Sequence, residues 1–242
     1  MPPPKPPVRR FKEEDWHRLI PASYAGAPDF AAGFSRKERE LVDILAGATD
    51  DSVQAQNRGL SGISLHELVF GVPHAGIINN AFCWPAKDGS RFNDSTRGAW
   101  YAARDRKTAI EEVAYHKAQR LASIVVPGLP GGRPHLEVFQ YDDWLASFDM
   151  DVHWLDPPDD YQSLMAPEPV PECYRESQAF AVTLLKEGSN GICYLSVRDK
   201  GSPCVACFRP ALIYAPQTAC RIEIAIASVA KGYSVTTTEV PI

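Results

Sequence analysis

An α+β domain, with a mixed or antiparallel sheet core and flanking helices, is what this 242-residue sequence predicts. Three observations lead there. Strand-like stretches outnumber helical ones, they cluster late in the chain rather than alternating with helices, and no internal repeat is visible. No Gly-rich dinucleotide loop or Walker loop appears either. The length suits one domain with a sizeable core. It is read as residues 11–242 behind a proline-rich tail of residues 1–10, which opens "MPPPKPP".

Along the chain, "FSRKERELVDILAGAT" sets Leu and Ile at helical spacing after a serine start and reads as a helix over 35–47. Residues 71–95, rich in Gly, Asn and Pro, read as irregular. "AWYAA" is short and apolar, fit for a buried strand. Asp105 then offers an N-cap to the helix "RKTAIEEVAYHKAQRL". In it, Ile110, Val113, Ala114, Lys117 and Leu121 form one stripe expected to face the core. "LASIVVPG" and "HLEVFQYDDW" read as strands divided by the turn "PGLPGGRP". Residues 148–171 read as a long irregular excursion, a lid or an interaction loop. "YRESQAFAVTLLKEGSNG" is a helix stopped by Gly and Asn. "ICYLSVR", "PCVACFRPALIYA", "CRIEIAIA" and "YSVTTTEVPI" follow as strands.

Composition excludes several classes. The net charge of −5 argues against a nonspecific nucleic-acid binder, which needs many basic groups to displace phosphate counterions. No apolar run reaches the roughly 20 residues of a membrane span, and the N-terminus has no apolar core of a signal peptide, so a cytoplasmic protein is expected. Six cysteines scattered over this length do not make a disulfide scaffold. Cys204 and Cys207 form a C-x-x-C, but no second pair with zinc spacing accompanies it. They are read as core thiols in a buried strand, with no metal expected.

Candidate chemistry concentrates in a few segments. On the "EEVAYH" helix both glutamates are expected to project away from the Ile110/Val113/Lys117 stripe, and Glu112 shares its side with Ala109 and His116. That pattern also describes a solvated glutamate. In "YLSVR", strand alternation puts Tyr194, Ser196 and Arg198 on one face and Cys193, Leu195 and Val197 on the other. The polar face is either open to water or the wall of a cleft. Arginines stand next to aromatics at Trp16-His17-Arg18 and Arg91-Phe92. A guanidinium fork suits diphosphates, and an aromatic ring can stack on a base or a cationic ring.

These blocks, in their order, resemble the RES-domain family, the toxin component of RES–Xre toxin–antitoxin pairs. "WHRLIPASY" is similar to the family's opening block. "SRFN" with "AWYAARDRKTAIEEVAYH" resembles its central one, and "GSNGICYLSVR" with "ACFRPALI" its last. The resemblance spans residues 16–210. It implies an ADP-ribosyltransferase-like fold around an NAD⁺ cleft, with NAD⁺ as substrate and no metal. The implied activity is cleavage of the nicotinamide–ribose bond, by phosphorolysis or hydrolysis, in an oligomeric complex with an Xre-type helix-turn-helix antitoxin. The same resemblance implies Arg91, Tyr101, Glu112 and Ser196 as catalytic residues, with Ser177 the rival serine. It implies Arg18, Arg91, Phe92, Asn93, Tyr101 and Arg198 as the NAD⁺-binding set. A mono-ADP-ribosyltransferase acting on a protein is the alternative, and a nucleotide-binding module without turnover a further one.

Overall fold

In the computed structural model, residues 3–22, 62–123, 136–229 and 232–241 are described. Seven strands, β1 (Val8–Pro21), β2 (Trp100–Ala103), β3 (Leu136–Trp154), β4 (Gly191–Leu195), β5 (Pro203–Cys207), β6 (Tyr214–Val229) and β7 (Gly232–Val240), form one mixed sheet. Their order is β1-β2-β5-β4-β3-β6-β7, and β1 also pairs with β3. Five strands therefore close on one another, and β6 and β7 extend outward from β3. Only the short β3–β4 pairing is parallel among those described. The α+β expectation holds. The helix expected at 35–47 lies outside the described residues.

Three α-helices accompany the sheet among the described residues: α1 (Ala75–Cys83), α2 (Arg106–Ser123) and α3 (Arg175–Lys186). Their apolar faces and the two sheet faces define two cores. One gathers Ala114 and Ala118 of α2 and Ala181 and Leu184 of α3 against Tyr141, Ile192 and Ile224. The other packs Ile78 and Phe82 of α1 against Trp16, Trp100, Phe148 and Met150. The alternation along β1 explains the division: Trp16 belongs to the second core and Leu19 to the first.

Four sequence expectations need correction. The stretch 71–95 is not wholly irregular, because α1 lies within it. Ile78 and Phe82 fall four residues apart on one buried face, and Asn79 bonds both backbone groups of Val69 (3.0 and 2.8 Å). The strand of "HLEVFQYDDW" runs on to Trp154, so residues 148–154 belong to β3 rather than to an excursion. Phe148, Met150 and Val152 are buried, while Asp149 and Asp151 pair with Arg10 of β1 on the other face. That is the period-2 pattern of a strand, masked by its acidic outer face. The "LASIVVPG" strand gives way to α2, which continues through Ser123; its remaining residues lie outside those described. Finally, β4 ends at Leu195, so Ser196 and Arg198 sit in the turn after it, and Leu195 is exposed rather than on an apolar face.

Cys204 and Cys207 are buried, free thiols in β5. Burial pushes the Cys207 thiol up to about 12 and Cys204 higher still, which disfavours the thiolate that redox or metal chemistry needs.

Glu67 ties the short turn Leu65–Glu67 to two distant segments. Its carboxylate accepts from both Nη atoms of Arg97 (2.8 Å each) and from Arg209 (2.9 Å). The hydrogen bonds from Arg97 are the main reason it titrates near 2 instead of 4.5. A folded-state value below the unfolded one means stability that is present above about pH 4.5 and lost as pH falls toward 2. Glu67→Gln is expected to cost about 1–2 kcal/mol at neutral pH and to remove that part of the acid loss. Urea midpoints across the acid range check this; an unchanged acid slope would contradict it.

Candidate active site

A cavity of about 310 Å³ opens between α2 and the sheet face formed by β1, β2 and β3. That is the low end of the range for ligand sites, roughly 300–1,000 Å³. Helix α2 begins after Asp105, whose carbonyl accepts from Ala109 N at 3.2 Å. It presents Ala109, Glu112, Val113, His116 and Lys117 to the cavity. Glu112 shares its side with Ala109 and His116, as the spacing predicts, and that side faces the cavity rather than open solvent. Val113 and Lys117 line the same cavity, however, so Glu112 does not point away from them. The cavity is wide enough for both rows of the helix to border it.

Ser196 donates to Glu112 Oε1 at 2.6 Å. Its own Oγ accepts from the backbone N–H of Arg198 (3.1 Å) and of Asp199 (3.0 Å). The turn after β4 therefore fixes the hydroxyl, and the hydroxyl fixes the carboxylate. Ser177, the rival serine, is buried in α3 and donates to Tyr174 O (3.0 Å) rather than to Glu112. Ser196→Ala should lower any Glu112-dependent turnover by about tenfold, because the carboxylate loses one charge-assisted hydrogen bond. Steady-state rates beside an unchanged thermal midpoint would check it.

Arg18, Arg91 and Tyr101 also line the cavity. Arg18 lies over the Trp100 ring (4.7 Å) and donates to Tyr101 O (3.2 Å), while its Nε is buried without a partner. Burial pulls its pKa down to about 10. Arg91 is 6% exposed, lies over the Tyr174 ring (4.8 Å) and donates from Nη1 to the carbonyls of Leu164 and Ala166, 3.0 Å each. Arg198 packs on the Tyr115 ring (3.3 Å) and donates to Pro167 O, with Nε again unpartnered. Among the described residues none of these three guanidiniums meets a carboxylate. Cations held this way are what an anionic ligand requires.

Phe92 and Asn93 do not line the cavity. They stand behind Tyr101, whose hydroxyl donates to Asn93 Oδ1 and accepts from Phe92 N (2.9 Å each). Burial raises the Tyr101 phenol well above its usual range, so it stays protonated. A second groove, about 630 Å³, shares Arg18 and Leu19 with the cavity and runs past Ile77, Asn80 and the exposed Trp84.

Several lining residues escaped the sequence reading, among them Tyr141 and Tyr174. In the sequence His17 stands out only as a neighbour of Arg18. The signal for it lay in "YDDW". Consecutive carboxylates in a strand face opposite sides, and here both are buried. Asp142 therefore pairs with Arg221, and Asp143 with His17 and Arg106.

Fold and cavity together define an α+β domain with an arginine-walled pocket built around one glutamate. Residues 71–226 match the family model of the RES domain, and the chain belongs to that family. The family is known from toxin–antitoxin systems with antitoxin partners, which gives this chain a toxin-type, NAD-related enzymatic role at that coarse level. The matched span holds Arg91, Tyr101, Glu112, Ser196 and Arg198; His17 and Arg18 on β1 precede it. No curated protein matches the chain. Among the described residues no helix is long and apolar enough to cross a membrane.

Proposed function

We propose that this protein cleaves the nicotinamide–ribose bond of NAD⁺ in the Glu112 cavity, and that an Xre-type antitoxin restrains it by covering that cavity. The observation that carries the reading is the pair of cavity-lining guanidiniums, Arg18 and Arg91, which meet no carboxylate among the described residues, beside one glutamate oriented by Ser196. Arg18 and Arg91 would hold the diphosphate; Arg198, which does not line the cavity, would act through its backbone N–H bond to Ser196. Phe92 and Asn93 act through Tyr101, whose ring borders the nicotinamide end. The adjoining groove, with Trp84 on its wall, accommodates the other half of the dinucleotide, because the first cavity is small for the whole of it.

Nicotinamide in NAD⁺ is already a cationic leaving group, so its departure needs little acid assistance. Breaking the bond builds positive charge on the ribose, an oxocarbenium-like state similar to that of glycoside cleavage. A carboxylate fixed beside the ribose acts more strongly as that charge grows, which is the condition for catalysis rather than mere binding. Ser196 keeps Glu112 in one rotamer, and the arginines position the reacting carbon.

Incubation of the purified, antitoxin-free chain with labelled NAD⁺ tests the proposal. Free nicotinamide with ADP-ribose or its 1-phosphate is the expected result. Label on a macromolecule would instead identify an ADP-ribosyltransferase, and binding without product a nucleotide-binding module.

A further inference from the structure

Glycosidic cleavage needs an acceptor, and Glu112 is already engaged with Ser196. His17 borders the same cavity, with a carboxylate behind it. His17 Nδ1 stands 3.0 Å from each oxygen of Asp143. Asp143 is wholly buried in β3 and also accepts from Arg106 Nε at 2.9 Å. A carboxylate so placed offers only lone pairs, so Nδ1 carries a proton, and in the neutral ring the lone pair is then on Nε2. Among the described residues Nε2 makes no hydrogen bond, and the His17 side chain remains 18% exposed. A histidine fixed from behind by a buried acid and open in front to a cavity is an oriented base.

We propose that His17, held by Asp143, is the general base that takes the proton from a neutral acceptor, water in the first instance. The inference rests on the NAD⁺ reading and deepens it by naming the acceptor class. The bond from the ribose carbon to the nicotinamide nitrogen breaks with its electron pair passing to nitrogen, and nicotinamide leaves neutral. A water oxygen forms the new bond to that carbon. Its proton moves to Nε2 of His17, giving an imidazolium that Asp143 stabilises, and later returns to solvent. Phosphate, already an anion, needs no such base.

His116 borders the cavity too, but it has no carboxylate behind it. Its surroundings, with Arg198 and Arg91 adding to the desolvation, hold it near 4, a weak base at neutral pH. The charged groups around His17 come from β1, β3, α2, β6, β7 and the turn that carries Arg91, and both Arg18 and Arg91 line the cavity with it. Behind it are Asp143 and Arg106, with Cys220 opposite Asp143 and Glu239 bonded to Arg106; across the cavity are Glu112 and Lys117.

The test is nicotinamide release by the full chain from about pH 5 to about pH 9, without and with inorganic phosphate. Without phosphate, the wild type should turn over NAD⁺ faster as pH rises, and His17→Gln should lose at least about a hundredfold along with that rise. Added phosphate should bring His17→Gln to within about tenfold of the wild type under the same conditions. A wild type that turns over only with phosphate, or with a flat pH profile, overturns the assignment and leaves NAD⁺ cleavage standing. So does a variant with wild-type rates, or one whose deficit phosphate does not relieve. No turnover under any condition overturns NAD⁺ cleavage itself, and the base with it. Should His17→Gln fail to fold, a flat wild-type profile, or turnover only with phosphate, still overturns the assignment.

Discussion

Replacing Glu112 by Gln should reduce nicotinamide release from NAD⁺ by about a hundredfold to a thousandfold while leaving the fold intact. The substitution keeps the shape of the side chain and its capacity to accept from Ser196, and it removes only the charge. Charge is the property that matters when the ribose becomes cationic, so the loss belongs in kcat rather than in KM. The guanidiniums of Arg18 and Arg91 are untouched, and calorimetric affinity for NAD⁺ should change by no more than a few-fold. Arg91→Ala would be a poorer probe. Arg91 also bonds Leu164 O and Ala166 O, so its removal loosens residues 164–166 as well as the pocket. Full turnover by Glu112→Gln would remove the glutamate from the mechanism and with it the reason for reading the cavity as an NAD⁺ site.

The stretch from Arg91 to His116 carried much of the site because its signals are local. A short apolar strand, an Asp ahead of a helix and a glutamate sharing its side with Ala109 and His116 are all set by neighbours within a few residues. β2, α2 and the shared side of Glu112, Ala109 and His116 followed, but not that this side meets a cavity. Features that depend on distant partners did not. Ser196 was placed in a strand, yet it lies in a turn whose backbone N–H groups bond its hydroxyl, and alternation cannot report where a strand ends. Residues 148–154 looked irregular because acids alternate with the apolar residues. The salt bridges from Arg10 of β1 that accompany those acids are more than a hundred residues away in sequence. The same distance hid the His17–Asp143 contact. It exists only because β1 pairs antiparallel with β3 and α2 brings Arg106 to the same carboxylate.

The largest stability effect is expected at Gly98, where the chain passes the end of α1 on its way into β2. Its N–H caps the Phe82 carbonyl at 2.8 Å, one of the orphan acceptors at a helix C-terminus. A Cβ there would lie 2.1 Å from the Ala81 carbonyl oxygen and 3.0 Å from its carbon. Those are backbone atoms of a packed helix, with Ile78 and Phe82 buried beside them, so no side-chain rotation relieves the clash. Gly98→Ala must push α1 and β2 apart, and overpacking of this kind should cost more than about 3 kcal/mol. Trp100 and Tyr101 follow within three residues, so the Arg18 bond to the Tyr101 carbonyl shifts with them, and turnover should fall in the fraction that remains folded. Gly76→Ala is the matched control. It lies in the same helix with open space around the added methyl, and it should instead stabilise by about 0.5–1 kcal/mol through helix propensity. Urea titrations of the two variants should move in opposite directions. A Gly98→Ala protein as stable as the wild type would mean that α1 does not approach β2 this closely, and the wall that α1 gives the second groove would have to be redrawn.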